Sequence, residues 1–256
     1  MMNKTIMAFV VAALMAAGAY AQKQLKPWSE WNKKEAQKIL DDSPWSQTQT
    51  ESDTSEMFFT PTTQASNATR QSQGATNQAV NVNFRIRFFS ARPIRQAFIR
   101  IIELNQSNLD KATLAGMEKF ANIKAQDSII VAVTVDGSDG RYVGRVKQSL
   151  DSAITSVLKN STYLERKDGK RVFLSEYVPP GKDGFGARFI FPRTVDGQPF
   201  ITADTGSIRF HAEQENKVAL AAVPANSSIK AESEYKIKLD MRFKVGEMMY
   251  DGQLEY

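Results

Sequence analysis

The sequence predicts an α+β fold: an early strand-helix-helix-strand-helix segment followed by a strand-rich, antiparallel C-terminal part. Three patterns support it. Val80, Val82, Phe84, Ile86 and Phe88 alternate with Asn81, Asn83, Arg85 and Arg87, the period of a half-buried strand. Val143, Val146, Leu150, Ala153, Ile154, Val157 and Leu158 follow the 3.6-residue helical period. Late in the chain, Tyr235, Ile237, Leu239, Met241, Phe243 and Val245 alternate again. Helices early and strands late disfavour a doubly wound parallel sheet.

After the first strand, Ser90 to Pro93 turn the chain, and Ile94, Ala97, Phe98, Ile101 and Ile102 recur at helical spacing. Pro93 falls in the first turn, where its missing N–H does no harm. A second helix is expected over Leu109 to Ile123, then an apolar strand from Ile129 to Val135. Asp168-Gly169 marks a hairpin between Tyr163-Leu164 and Val172-Phe173. Further strands are expected at Ala187 to Phe191, Ile208 to Ala212 and Val218 to Ala222, and Asp251-Gly252 signals a closing turn.

Four regions divide the chain. Residues 1–21 read as a signal peptide: Lys4, an apolar run from Ile6 to Ala17, then Ala19-Tyr20-Ala21 before the expected cut. That run is well short of the ~20 residues a membrane span needs, and no transmembrane segment is expected after cleavage. Residues 22–45 hold all three tryptophans around a short helix, which opens on Asn32 with Glu35 three positions on and stops at Ser43-Pro44. A helix this short does not hold alone in water, so it must dock on its own domain or on a partner. Residues 46–79 are rich in Ser, Thr, Gln and Asn and read as a flexible linker. Residues 80–256 are the α+β domain.

Composition narrows the chemistry. The chain has no cysteine and one histidine, His211, in a strand-like stretch. That removes cysteine nucleophiles, disulfides and most transition-metal sites, so neither a metal nor a cofactor is expected. A Ser-His-Asp triad would need His211, yet no Gly-x-Ser-x-Gly elbow is present. The net charge of +5 suits an anionic polymer or another envelope protein as partner; nucleic acid is not expected in an exported compartment.

Ser90-Ala-Arg-Pro-Ile-Arg-Gln-Ala97, Gly186-Ala-Arg-Phe-Ile-Phe-Pro192 and Met249-Tyr-Asp-Gly-Gln-Leu-Glu-Tyr256, with the Trp31-to-Trp45 helix, form a combination that resembles uncharacterised exported proteins of Acidobacteria. The resemblance implies a bacterial envelope setting, and no activity, cofactor or site. Phe200-Ile-Thr-Ala-Asp204-Thr205-Gly206-Ser207 is similar to the Asp-Thr-Gly stretch of aspartic proteases. There two carboxylates must meet around one water. This chain has one copy, and too little sequence follows Gly206 to build the rest of that fold. Asp136-Gly-Ser-Asp-Gly140 reads as a strand-to-helix connection rather than a phosphate loop, and Ser156-Val-Leu-Lys159 lacks the companion motifs of penicillin-recognising enzymes.

The candidate binding residues are therefore Trp28, Trp31 and Trp45, which can anchor an interface, and Arg85, Arg87 and Arg95, from an arginine cluster that is either a solvated face or an anion patch. The expectation is a periplasmic or secreted, non-catalytic binding or structural module. The alternative is a carboxylate-dependent hydrolase of envelope polymers or peptides, with Asp204 as its candidate catalytic residue.

Overall fold

In a computed structural model, which describes residues 26–53, 80–106, 108–123, 127–138, 140–219 and 232–256, Asn32 opens helix α1 (Lys33–Asp41) with a full capping box. The Asn32 side chain accepts from Glu35 N at 2.9 Å, and the Glu35 carboxylate accepts from Asn32 N at 2.9 Å. The expected leader over 1–21 lies outside the described residues, as do residues 54–79 of the expected linker.

The start of that linker is corrected. Ser46–Asp53 is a strand, β1, antiparallel to β2 (Val80–Phe88) in a register running from Ser46↔Arg87 to Asp53↔Val80. Composition hid it because an edge strand draws its ladder bonds from the backbone and tolerates polar side chains on both faces. Helix α1 does not hang on a tether. It packs against α2 (Arg92–Asn105), and Trp31, Ala36, Leu40 and Trp45 lie in the same core as the sheets.

Helix α3 (Lys111–Ala121), capped by Asp110, leads into β3 (Ser128–Gly137). The long helix expected over Val143 to Leu158 is two: α4 (Gly140–Ser152) and α5 (Thr155–Leu158), with Ile154 extended between them. In a continuous helix the Leu150 carbonyl would accept from Ile154 N–H. It accepts instead from the buried Tyr177 hydroxyl, while the Thr155 hydroxyl takes Tyr177 N–H at 3.0 Å. Ile154 and Val157, expected on the apolar face, are left exposed.

The strands then follow as β4 (Tyr163–Arg166), β5 (Arg171–Phe173), β6 (Glu176–Val178), β7 (Ala187–Pro192), β8 (Thr194–Val195), β9 (Gln198–Pro199), β10 (Ser207–Ala219), β11 (Glu232–Lys244), β12 (Met249–Tyr250) and β13 (Gln253–Leu254). The strand expected at 208–212 and the start of that expected at 218–222 belong to the one strand β10; residues 220–222 lie outside the described residues. Asp251 and Gly252 take positive φ in the β12–β13 turn, as that dipeptide requires.

One sheet runs β1-β2-β3-β7-β6 and the other β11-β10-β4-β5, every pairing antiparallel. The α+β class is therefore observed. The sheets meet through interlocked rings: Phe88 on Phe243 at 4.9 Å and Phe189 on Phe210 at 5.3 Å, both edge to face. Along one side their edges are joined by a single side chain. Gln49 of β1 donates to Lys238 O at 2.7 Å and accepts from Asp240 N at 2.8 Å, so its amide stands in for a strand neighbour of β11. Gly186 permits β7 to approach β3; a Cβ there would meet Val133 O at 2.3 Å, and its φ is +82°.

Trp45 and the C-terminal residues meet at the start of α2. Its N-cap, Ala91, has no capping side chain. Glu255 supplies the anion instead, accepting from Arg92 N at 3.2 Å and pairing with the Arg92 guanidinium at 3.0 Å, almost out of solvent. Trp45 Nε1 donates to Glu255 O at 2.9 Å, and Tyr250 packs edge-on against Trp45 while its hydroxyl donates to Gln96 at 2.7 Å.

Two outcomes follow. Glu255→Ala leaves the buried Arg92 guanidinium with Asp251 alone, at 3.2 Å, and uncaps α2, and lowers stability to urea by about 2 kcal/mol; Glu255→Gln, which keeps an acceptor, loses less. An unchanged midpoint for the alanine variant would show that this contact carries no stability. Burial pushes the Tyr250 phenol up to about 12 and raises Tyr177 as well. A phenol harder to ionise when folded stabilises fully below its unfolded value of 10.0, and that stabilisation is lost as pH rises through about 12. Alkaline unfolding therefore steepens above pH 10 and is shallower in Tyr250→Phe, as read by far-UV circular dichroism across a pH series.

Candidate functional site

The predicted binding residues are not brought together on a surface. Trp31 and Trp45 are each 3% exposed, and Trp28 is half-buried against the same core. Trp31 donates through Nε1 to Lys26 O at 2.9 Å. The exposed lysines of α1, Lys33, Lys34 and Lys38, border only a shallow open groove.

Arg87 and Arg95 are inside as well and Arg85 is half-buried, which corrects the solvated face expected for β2. Arg87, 4% exposed, donates to Leu40 O at the end of α1 and to Thr134 Oγ1 at 2.8 Å, and lies 5.5 Å over the Phe98 ring. Arg95, fully buried, donates to Phe120 O at 3.2 Å and Phe89 O at 3.4 Å, and also to Ser90 O and Ile123 O. Burial pushes both guanidinium groups down to about 10. Arg85 pairs with Asp41 and, at 2.8 Å, with Asp136. Arg85 and Arg87 reach the end of α1, which lies over the polar face of β2, while Arg95, on α2, reaches carbonyls at the end of α3 and in the turn before its own helix.

Asp204 lies exposed in a short 3-10 turn, Ala203–Thr205, closed by Thr202 N donating to Thr205 Oγ1 at 2.8 Å. The stretch similar to the protease motif is thus a turn before β10. The glycine-rich 181–186 loop is pinned: Phe185 packs on Phe89 at 4.7 Å and on Phe98 at 5.3 Å, and Arg188 pairs with Asp183 at 2.9 Å. Among the described residues no group of three or more His, Cys, Asp or Glu side chains could hold a metal ion, and no helix is long and apolar enough to cross a membrane.

The feature with chemistry to offer is the outward face of the β11-β10-β4-β5 sheet. Its inner face holds Leu164, Val172, Ile208, Phe210, Leu239 and Phe243 in the core. With a two-residue period the alternate residues point out, and all of these are exposed or half-buried. Pairing registers align them in rows across the strands. One row is Phe173, Tyr163, His211 and Asp240; the next is Arg171, Glu165, Arg209 and Arg242.

In the first row Phe173 meets Tyr163 edge-on at 5.7 Å, and Tyr163 stacks on His211 at 4.8 Å. His211 Nδ1 lies 3.5 Å from Asp240. The Arg171 guanidinium lies 4.3 Å over the Tyr163 ring and pairs with Glu165. Phe173, 48% exposed, is the aromatic ring open to solvent. Arg209 forks onto Asp240, with Nε at 2.7 Å from Oδ1, and reaches Glu165 at 3.5 Å. The Arg209 fork holds the Asp240 carboxyl below its usual range and raises the guanidinium in turn; the Arg171 hydrogen bond lowers Glu165 likewise.

Sequence reasoning missed these residues, although part of the signal was present. A hairpin centred on Asp168-Gly169 pairs Tyr163 with Phe173 and Glu165 with Arg171. The register that adds His211 and Arg209 joins segments too distant for local patterns to align.

The two candidate carboxylates separate by one measurement. Asp240→Asn weakens the Arg209 fork and lowers stability by about 1 kcal/mol, a loss that shrinks as pH falls below 4. Asp204→Asn leaves the midpoint unchanged, and equal effects of the two would remove Asp240 from its structural role. Compared with family models, with curated proteins and with solved structures, the chain matches none.

Proposed function

We propose that the chain is an exported, non-catalytic binding module of the bacterial envelope that engages its ligand on the outward face of the β11-β10-β4-β5 sheet. One observation carries this reading: two aligned rows, one led by the open Phe173 ring and one dominated by arginine, on a sheet whose other side is core. A flat strand face offers stacking and charge while lacking the enclosed, dry cleft that chemistry needs. The leader-like start supports the exported setting. The hydrolase alternative has less behind it, because Asp204 sits alone in its turn, exposed to water.

The experiment is a titration of the isotope-labelled chain with a solubilised envelope polysaccharide fraction, followed by amide spectra and by product analysis. The expected result is shifts at outward positions of β4, β5, β10 and β11, with no new chain ends released. Shifts confined to other surfaces would overturn the placement. Turnover that disappears in Asp204→Asn would establish the hydrolase instead.

A further inference from the structure

We propose that the occupant of this face is a linear acidic polysaccharide, a ligand class that rests on the binding reading above. Neighbouring strands lie about 4.8 Å apart, so four of them present rows about 14 Å long. Rows two residues apart along a strand are separated by about 7 Å, a span that a sugar acid covers from its ring to a guanidinium only when the hydrogen bond to its carboxylate is included. The face changes chemistry row by row in that direction. The aromatic row comes first. Arg171, Glu165, Arg209 and Arg242 come next, then a third row from Lys167, which donates its backbone N–H to Ser207 O, to Lys244 opposite Ser207.

Charge argues for an acid. Arg209 and Arg242 stand directly opposite each other, an arrangement that like charges disfavour. Arg209 is neutralised by Asp240 and Glu165. Arg242 is exposed, and its side chain has no ion pair or hydrogen bond among the described residues. A carboxylate set against it completes the row with a planar fork that arginine is shaped to give.

Ring count argues for a sugar over a nucleic acid. Single strands of nucleic acid are held by several open rings on which successive bases stack. Here Tyr163 is already enclosed between Arg171 and His211, which leaves the one open ring of Phe173. One ring suffices for the apolar face of one sugar, and Arg242, on the opposite edge strand about 14 Å away across the rows, takes the acid group of a sugar further along the same linear chain.

The test measures binding of oligogalacturonate, its neutral methyl ester and oligo(dT) to the full chain by calorimetry. Oligogalacturonate is expected to bind, the methyl ester about tenfold more weakly or not at all, and oligo(dT) more weakly than the acid. Phe173→Ala and Arg242→Ala are each expected to lose about tenfold in affinity, with unchanged circular dichroism, because both side chains are exposed. Equal binding of the methyl ester, tighter binding of oligo(dT), or unaltered affinity in both variants would overturn the assignment. If oligogalacturonate fails while envelope polysaccharide still shifts this face, the ligand class falls and the binding face stands. If neither binds, both fall.

Discussion

A strand buried on both faces governs the architecture. β2 alternates like a strand with one wet side, and Phe84, Ile86 and Phe88 fill the space between the sheets as that pattern demands. Its other side is nevertheless covered by α1 and α2, so Arg85 and Arg87 must lose water there. A buried guanidinium is tolerable only when its donors are taken up. The helix layer supplies the acceptors: the Asp41 carboxylate, and the Leu40 carbonyl left over at the end of α1. Arg95 repeats the solution one element later, gathering carbonyls from the end of α3 and the turn before α2. Arg100 does the same with Trp31 O at 2.7 Å. The helix ends lack glycine caps, and arginine donors take that role.

The same economy of ends explains why the N-terminal helix belongs to the domain. Trp45 sits where α1, β1, α2 and the closing hairpin converge, and its indole N–H reaches a residue 210 positions away. Glu255, brought there by that contact and by Glu255 N donating to Met248 O at 3.0 Å, provides the negative charge that Ala91 cannot. Arg193 lies 3.9 Å over the Tyr256 ring and donates to Tyr256 O at 2.8 Å, which seats the last residue. Segments far apart in the chain thus interlock through single polar contacts inside an aromatic setting. Low dielectric strengthens such contacts when all partners are present and makes each loss costly.

Local patterns made much of this fold legible. The capping box at Asn32, the β2 alternation, the Asp168-Gly169 hairpin and the Asp251-Gly252 turn are all signals whose cause lies within a few residues, and each is found where expected. What stayed hidden depends on distant partners. β1 looks like linker because its Thr and Gln side chains give no apolar period; its strand character comes from β2. The break at Ile154 comes from Tyr177. The arginines of β2 and α2 looked like a surface cluster because nothing near them in sequence announces the helices that cover them. The candidate face was half legible: its hairpin half can be read from the turn, while the β4-to-β10 register cannot.

Period two also divides the labour of the second sheet cleanly. Buried Leu164, Ile208, Phe210 and Ala212 alternate with half-buried Tyr163, Glu165, Arg209 and His211. Core packing fixes the register, because a slip of one residue would bring Arg209 and His211 into the Phe189–Phe210 contact. The outward rows are therefore aligned by forces acting on the opposite face. Tyr163, His211 and Asp240 are held in line by the fold itself. Such a face can change its outward chemistry without disturbing the core that positions it.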